Sequence, residues 1–237
     1  DFRDSKCNKT ILSGEIQQDS DNSNNSYHVV TTTNVSSATL IDGFCITDGY
    51  ADGTEFPDYV GAGWYNDGSG EGNESSPTIV NCVLTGNFAG TGGGMYNTGG
   101  VLGNSSPILI NCIISSNIAS NGAGLFNDAI TGTSNPVLTN CIISGNWSDS
   151  GGGLFNSGFE GTCNPVLINC VLSGNSAILE AGGMYNSDAS PTMVNCITWN
   201  NSTAFEGFGT FSITISYSII QAGAVFSDGG NNKPDVT

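Results

Sequence analysis

Short apolar runs and turn residues alternate along most of the chain. The runs are rich in Val, Ile and Leu and are broken by Gly, Asn, Ser and Pro. No window has apolar residues at i, i+3, i+4 and i+7, the spacing that an amphipathic helix needs. The pattern therefore predicts an all-β protein made of short strands.

The apolar runs belong to a repeat. Five segments align with almost no gaps: SSPTIVNCVLTGN, SSPILINCIISSN, SNPVLTNCIISGN, CNPVLINCVLSGN and ASPTMVNCITWNN. Their prolines, Pro77, Pro107, Pro136, Pro165 and Pro191, lie 30, 29, 29 and 26 residues apart. A second motif recurs between them, as GAGWYN, GGGMYN, GAGLFN, GGGLFN and AGGMYN, with a degenerate sixth copy, GFGTFS, at Gly207.

The repeat length decides the architecture. A propeller blade needs about 40 residues, whereas about 29 residues fit one coil of a parallel β-helix. We predict a right-handed parallel β-helix of about seven or eight coils, each with about three strands. It forms one domain over residues 1–237, with irregular first coils (1–60), regular repeats (61–212), and a last strand and tail (213–237).

Equivalent residues of successive coils stack about 4.8 Å apart. Three asparagine columns result: Asn81, Asn111, Asn140, Asn169 and Asn195; Asn87, Asn117, Asn146, Asn175 and Asn201; and Asn66, Asn97, Asn127, Asn156 and Asn186. Asparagine tolerates left-handed backbone and its amide bonds the amides above and below, so we expect ladders at the corners. Replacing Asn140 with Ala should cost roughly 1 to 3 kcal/mol through an unpaired corner amide.

An aromatic column accompanies the ladders. It comprises Tyr65, Tyr96, Phe126, Phe155, Tyr185 and Phe211. Stacked rings of this kind bury a continuous stripe. The sequence leaves open whether the stripe points inward or outward.

Six of the eight cysteines recur once per coil: Cys45, Cys82, Cys112, Cys141, Cys170 and Cys196. They form no CxxC pair and do not cluster, so we interpret them as small buried hydrophobic residues and not as a zinc site or disulfide framework. Cys7 and Cys163 lie outside this column. They are either unrelated thiols or an intermolecular link in an oxidising setting.

The motifs resemble known surface proteins. The pairing of LTGN or IISGN with GGGM or GAGL resembles the repeats of chlamydial polymorphic outer membrane proteins. The combined pattern SPTLxNCxxSGNxAxxGGGMYN is similar to the repeats of secreted β-helix proteins of environmental bacteria, in the pectin-lyase-like fold group. This resemblance covers about residues 27–221 and implies a right-handed parallel β-helix in an extracellular or cell-surface protein.

The charge pattern excludes several functions. The 237-residue chain has 21 acidic and four basic residues and a net charge of −17, which argues against nucleic-acid or anionic-membrane partners. It has no 18-residue apolar run, so we expect no transmembrane segment. Residues 10–232 contain no Lys or Arg, although lyases need cations or Ca²⁺ to neutralise the substrate acid and the developing enolate. We therefore predict no catalytic residue and no enzyme activity. His28 is the single histidine and lies in the apolar run YHVV, so we interpret it as a strand or surface histidine.

The coil between Cys45 and Cys82 carries an acidic insertion of about eight residues within residues 48–76. Asp52, Glu55, Asp58 and Asp67 are weak candidate Ca²⁺ ligands, because this ion takes six to eight oxygen ligands. The alternative is a solvated acidic loop. No other cofactor is expected.

These observations predict a non-catalytic extracellular structural or adhesive module, with surface glycans or a second copy as partners. Arg3, Lys6 and Lys9 lie at one end of an anionic rod and Asp228 and Asp235 at the other, an arrangement compatible with end-to-end fibres. The alternatives are a fragment capped by further coils of its own and a self-capped monomer. The alternative function is a polysaccharide-binding or lyase-like polysaccharide-degrading β-helix.

Overall fold

The computed structural model describes residues 10–17, 19, 21–222, 224, 227–230 and 232–234. These residues form 29 short strands and one 3-10 turn, Asn22–Asn24. The first strands are β1 (Thr10–Ser13), β2 (Val30–Thr33), β3 (Leu40–Asp42), β4 (Phe44–Thr47), β5 (Tyr50–Ala51), β6 (Trp64–Asp67), β7 (Thr78–Val80), β8 (Val83–Thr85), β9 (Phe88–Thr91) and β10 (Met95–Thr98). They are followed by β11 (Ile108–Ile110), β12 (Ile113–Ser115), β13 (Ile118–Asn121), β14 (Leu125–Asp128), β15 (Val137–Thr139), β16 (Ile142–Ser144), β17 (Trp147–Ser150), β18 (Leu154–Ser157), β19 (Val166–Ile168) and β20 (Val171–Ser173). The last are β21 (Ser176–Glu180), β22 (Met184–Ser187), β23 (Thr192–Val194), β24 (Ile197–Trp199), β25 (Phe205–Phe208), β26 (Thr214–Ser216), β27 (Ile219–Ile220), β28 (Ser227–Asp228) and β29 (Lys233–Pro234).

The strands pair in parallel and build four sheets along one axis. Sheet A has the order β1-β4-β8-β12-β16-β20-β24-β27-β29, and sheet B has the order β2-β6-β10-β14-β18-β22-β25. Sheet C has the order β3-β7-β11-β15-β19-β23-β26-β28, and sheet D has the order β5-β9-β13-β17-β21. Each turn passes from B through C and A to D. The predicted all-β parallel β-helix is confirmed.

The solenoid has about six turns, fewer than the seven or eight expected. Only five turns have a strand in sheet D, and the incomplete turns lie at the two ends of the solenoid. Sheet D also gives these turns a fourth strand, where three were predicted. Its strands, such as Phe88–Thr91 and Trp147–Ser150, contain small and polar residues and lack the apolar alternation that marks a strand in sequence.

Three columns of large apolar side chains fill the interior. Their members are Ile46, Leu84, Ile114, Ile143 and Leu172 from sheet A; Ile79, Leu109, Leu138, Leu167 and Met193 from sheet C; and Trp64, Met95, Leu125, Leu154 and Met184 from sheet B. All are fully buried, and burying such a side chain contributes about 1.5 to 3 kcal/mol. The period-2 alternation within each strand therefore supplies one continuous core.

The glycine motif explains how successive turns approach each other. Gly92 has φ +67°, and a Cβ there would lie 2.8 Å from Cβ of Tyr96. A Cβ on Gly94 would lie 2.5 Å from the carbonyl oxygen of Gly124 in the next turn. Side chains at either position would prevent the backbone from folding over the aromatic column and stacking on its neighbour.

Two sequence alignments are wrong by a small shift. Cys45 pairs with Val83, so Phe44 takes the cysteine position and Cys45 faces outward, half-buried. The reason is Gly43, whose φ of 84° makes the corner that Asn81 makes one turn later.

The sixth glycine motif is also displaced. Strand β25 pairs Glu206 with Tyr185, so AFEGF and not GFGTFS is the sixth copy. This turn lacks a sheet D strand, and Phe211 packs against the core outside the aromatic column.

The described residues include no helix with the length and apolar character of a membrane span.

Candidate functional site

The outer asparagine ladder runs along the corner between sheets C and A. Its members, Asn81, Asn111, Asn140, Asn169 and Asn195, are exposed and have φ between 53° and 55°. Each amide donates to the asparagine of the preceding turn, over 3.3, 3.2, 3.1 and 2.7 Å. The first amide donates to Asp42 Oδ1 over 2.8 Å. The predicted corner ladder is therefore confirmed.

The ladder of sheet B lies inside. Its five members, Asn66, Asn97, Asn127, Asn156 and Asn186, have no exposed surface. Each Nδ2 donates to the next Oδ1 over 3.0, 2.9, 2.8 and 2.8 Å. Thr32 Oγ1 donates to Asn66 Oδ1 at the first end, and Glu206 O accepts from Asn186 at the other. A buried amide column is therefore satisfied along its length.

The third ladder bonds the backbone as well. It comprises Asn87, Asn117, Asn146, Asn175 and Asn201, all buried. Oδ1 of Asn117 accepts from both the backbone N–H and Nδ2 of Asn87, over 3.1 and 3.0 Å. The same double contact recurs at the next three steps. Each turn is thus fixed to the next by two bonds at this position.

The thiols of the buried cysteine column are held in their protonated form. The thiol of Cys112 donates to Ile79 O over 3.5 Å, and that of Cys141 to Leu109 O over 3.5 Å. The adjacent thiol of Cys112 raises the pKa of Cys141 to about 12, and that of Cys141 raises the pKa of Cys170 to about 12. These thiols stay protonated at neutral pH, whereas the thiolate is the nucleophile and metal ligand. No disulfide joins the described cysteines.

Cys163 does not fit the interpretation of an intermolecular thiol. Its side chain is 1% exposed and packs with Ala129 and Ala189, and its thiol donates to Asn127 O over 3.6 Å. Burial also raises the pKa of this thiol. A second molecule has no access to it in the folded chain. Cys7 lies outside the described residues.

The aromatic stripe lies on the outer face of sheet B and is still mostly covered. Tyr96 stacks on Phe126 at 5.3 Å, and Phe126 on Phe155 at 4.7 Å. Tyr96 is only 6% exposed and donates to Asp128 Oδ2 over 2.7 Å. The insertion covers the first rings, with Phe56 edge-on to Tyr65 at 6.0 Å.

The candidate Ca²⁺ ligands are not brought together. No group of three or more His, Cys, Asp or Glu side chains suited to a metal ion occurs in the described part of the chain. Asp52 and Glu55 lie exposed on the insertion, and Asp67 accepts from the backbone and hydroxyl of Ser69. Asp67 thus serves a local turn at the end of β6.

His28 lies beneath the insertion. Its Nδ1 is 3.2 Å from Gly61 O, and its ring stacks on Tyr65 at 5.1 Å. Nε2 is buried without a hydrogen-bond partner in the described structure. Burial lowers the pKa of this histidine, so the ring is neutral at pH 7.

One side of the solenoid has no charged side chain in its regular strands, a feature that the sequence analysis missed. From β7 to β26 in sheet C and from β8 to β27 in sheet A, no strand contains Asp, Glu, Lys, Arg or His. The acids after residue 75 that the structure describes lie in sheets B and D or in loops beside them, except Asp228 in β28. The signal was visible in the five aligned proline-containing segments, none of which contains Asp, Glu, Lys, Arg or His.

The fold defines the chain as a parallel β-solenoid whose turns are joined by side-chain ladders. No family model, curated protein or solved structure matches this chain. The resemblance to polymorphic outer membrane proteins and pectin-lyase-like proteins stays a prediction.

Proposed function

We propose that this chain is a non-catalytic structural or adhesive module that acts outside the cell or at its surface. The observation that carries the proposal is the continuity of the three asparagine ladders, which join every regular turn to the next. Such a rod presents equivalent outward positions at a constant interval of about 4.8 Å. The extracellular location is proposed from the sequence resemblance.

The titratable groups support the same proposal. The buried thiols and Tyr96 are held protonated, and no carboxylate among the described residues is in hydrogen-bond contact with His28. General acid–base catalysis needs a base within hydrogen-bond reach of a substrate and with a pKa near the working pH.

End-to-end assembly remains a prediction, since Arg3, Lys6, Lys9 and Asp235 lie outside the described residues.

Glycan binding is the second candidate. An outward column on sheet D contains Tyr50 stacked on Phe88 at 4.6 Å, and Trp147 is 45% exposed in the same column. Exposed rings offer a large contact area with little loss of conformational entropy. This column is the part of the surface best suited to an adhesive contact.

Two measurements test the proposal. A panel of uronate and neutral polysaccharides is incubated with the chain and assayed for unsaturated product and for reducing ends; we expect no turnover. A glycan array is then probed with the wild type, with Trp147→Ala and, as a matched control on sheet A, with Trp199→Ala. Turnover of any polymer would refute the non-catalytic role, whereas binding that Trp147→Ala alone abolishes would establish the glycan-binding form of the module.

A further inference from the structure

The uncharged side of the solenoid is a distinct surface on a strongly anionic molecule. The chain carries a net charge of −17, yet six successive strands of sheet A, from β8 to β27, have no charged side chain. Two copies that approach through sheets B or D bring carboxylates together, which is unfavourable. Sheet A is a side on which they meet without that cost.

This face bears an aliphatic ridge. Its column is Val83, Ile113, Ile142, Val171, Ile197 and Ile219. The four isoleucines are 38%, 41%, 40% and 41% exposed. The next outward column of the same strands holds the hydroxyl side chains of Thr85, Ser115, Ser144 and Ser173, and in β24 it continues with Trp199, which is 47% exposed.

A groove lies beside the last three residues of the ridge. It is open, has a volume of about 400 Å³, and lies between the outer ladder at Asn169 and Asn195 and the aliphatic residues Val171, Ile197 and Ile219. Tyr217, which follows Asn195 in the corner column with φ 53°, closes its end. The ridge itself continues over six turns, whereas the groove accompanies it only over the turns of β20, β24 and β27.

We propose that two copies of this chain associate side by side through the outer face of sheet A, the aliphatic ridge of each copy packing against that of the other. A two-fold interface requires one surface that is complementary to itself. A ridge whose residues recur at intervals of about 4.8 Å meets that requirement, because each residue of one ridge then faces an equivalent residue of the other. The proposal does not depend on the adhesive role.

The dimensions indicate a modest affinity. Six strands at about 4.8 Å and about six residues from the ladder to the next corner give a face of about 29 by 20 Å. The footprint is about 600 Å² per copy, or about 1,200 Å² in total, at the lower limit for specific complexes. Salt should strengthen the association, because it screens the repulsion between two copies of charge −17.

Sedimentation equilibrium of the 237-residue chain tests this proposal over a range of concentrations, at low salt and at about 0.5 M salt. We expect a monomer–dimer equilibrium with more dimer at high salt. Ile142→Asp should weaken dimerisation by about tenfold or more, since it places two like charges in the interface. Ser120→Asp adds the same charge to the exposed face of sheet D and is the matched control, which should dimerise like the wild type.

Ile142→Thr provides a second arm, because it keeps a β-branched residue in the strand and adds no charge. It should weaken the dimer by a smaller factor, with an unchanged circular dichroism spectrum. A monomer at every concentration and salt level would overturn the proposal. So would equal effects of Ile142→Asp and Ser120→Asp, or a monomer that binds a neutral glycan through this face.

Discussion

The outer ladder and the ladder of sheet B use the same residue at the same repeat for different physical reasons. Asn140 is exposed and holds a left-handed backbone with φ 55°. Asn127, in the same turn, is fully buried and is not in a left-handed conformation. At the corner, asparagine is selected for its backbone conformation, and in the interior for its amide.

Two different costs are expected at these positions: backbone strain at the corner, and the loss of an amide partner in the interior. The loss at Asn140 was expected to come from an unpaired corner amide. Water replaces the partner of an exposed amide, so little is lost there when the bond is removed. The interior ladder has no such replacement, and its members should therefore be the more sensitive positions.

Asn127→Ala should show the largest effect. Asn127 Nδ2 donates to Asn156 over 2.8 Å, and Asn97 donates to Asn127 over 2.9 Å. Removing the amide leaves a buried donor and a buried acceptor unpaired and opens a cavity, at a cost of about 3 to 5 kcal/mol. Urea denaturation followed by circular dichroism measures the change. A loss no larger than that of Asn140→Ala would contradict the comparison.

The sequence predicted the class of fold because its columns are defined by spacing alone. Five prolines and fifteen asparagines recur in register, and parallel stacking is the arrangement that keeps each column aligned. Burial could not be predicted, since Asn81 and Asn87 have the same periodicity although Asn81 is exposed in a left-handed conformation and Asn87 is buried. Sheet D and the position of Cys45 were missed because small residues and Gly43 carry no apolar signal.

The cysteines extend the same contrast to thiol chemistry. Cys45 faces outward and is half-buried, whereas Cys163 and Cys112 are at most 1% exposed. Alkylation of the native protein should modify Cys45 about a hundredfold faster than Cys163, because the buried thiol reacts only after local opening. Mass spectrometry of a Cys7→Ser variant measures both rates. Equal rates would show that the loop around Cys163 opens freely.

Asn140→Ala should cost about 1 to 2 kcal/mol, because alanine is strained in the left-handed region. Asn140→Gly separates the cost of backbone strain from the cost of the lost amide hydrogen bond, since glycine adopts the left-handed conformation without strain. Gly43, with φ 84°, already occupies the equivalent corner one turn before Asn81. We expect the glycine variant to lose less than half as much stability in urea. Equal losses for both variants would assign the cost to the amide bond instead.

His28 should give the smallest effect, a pH dependence confined to the first turns. Burial lowers the pKa of the folded state, while the unfolded chain binds a proton near pH 6.5. The unfolded state therefore holds more protons in this range, and stability contributed here falls as the pH drops below about 6.5.

His28→Phe keeps a ring against Tyr65 and removes the titration. In thermal unfolding between pH 8 and pH 5, the wild type should lose stability relative to His28→Phe as the pH falls, by less than about 1 kcal/mol since the ring is partly solvated. The negative charge of Asp58 raises the pKa of His28 and opposes the effect of burial, which is the larger of the two and sets the direction of the difference. Parallel pH profiles would show that the imidazole takes up its proton as readily in the folded chain as in the unfolded one, and that the insertion does not shield it from water.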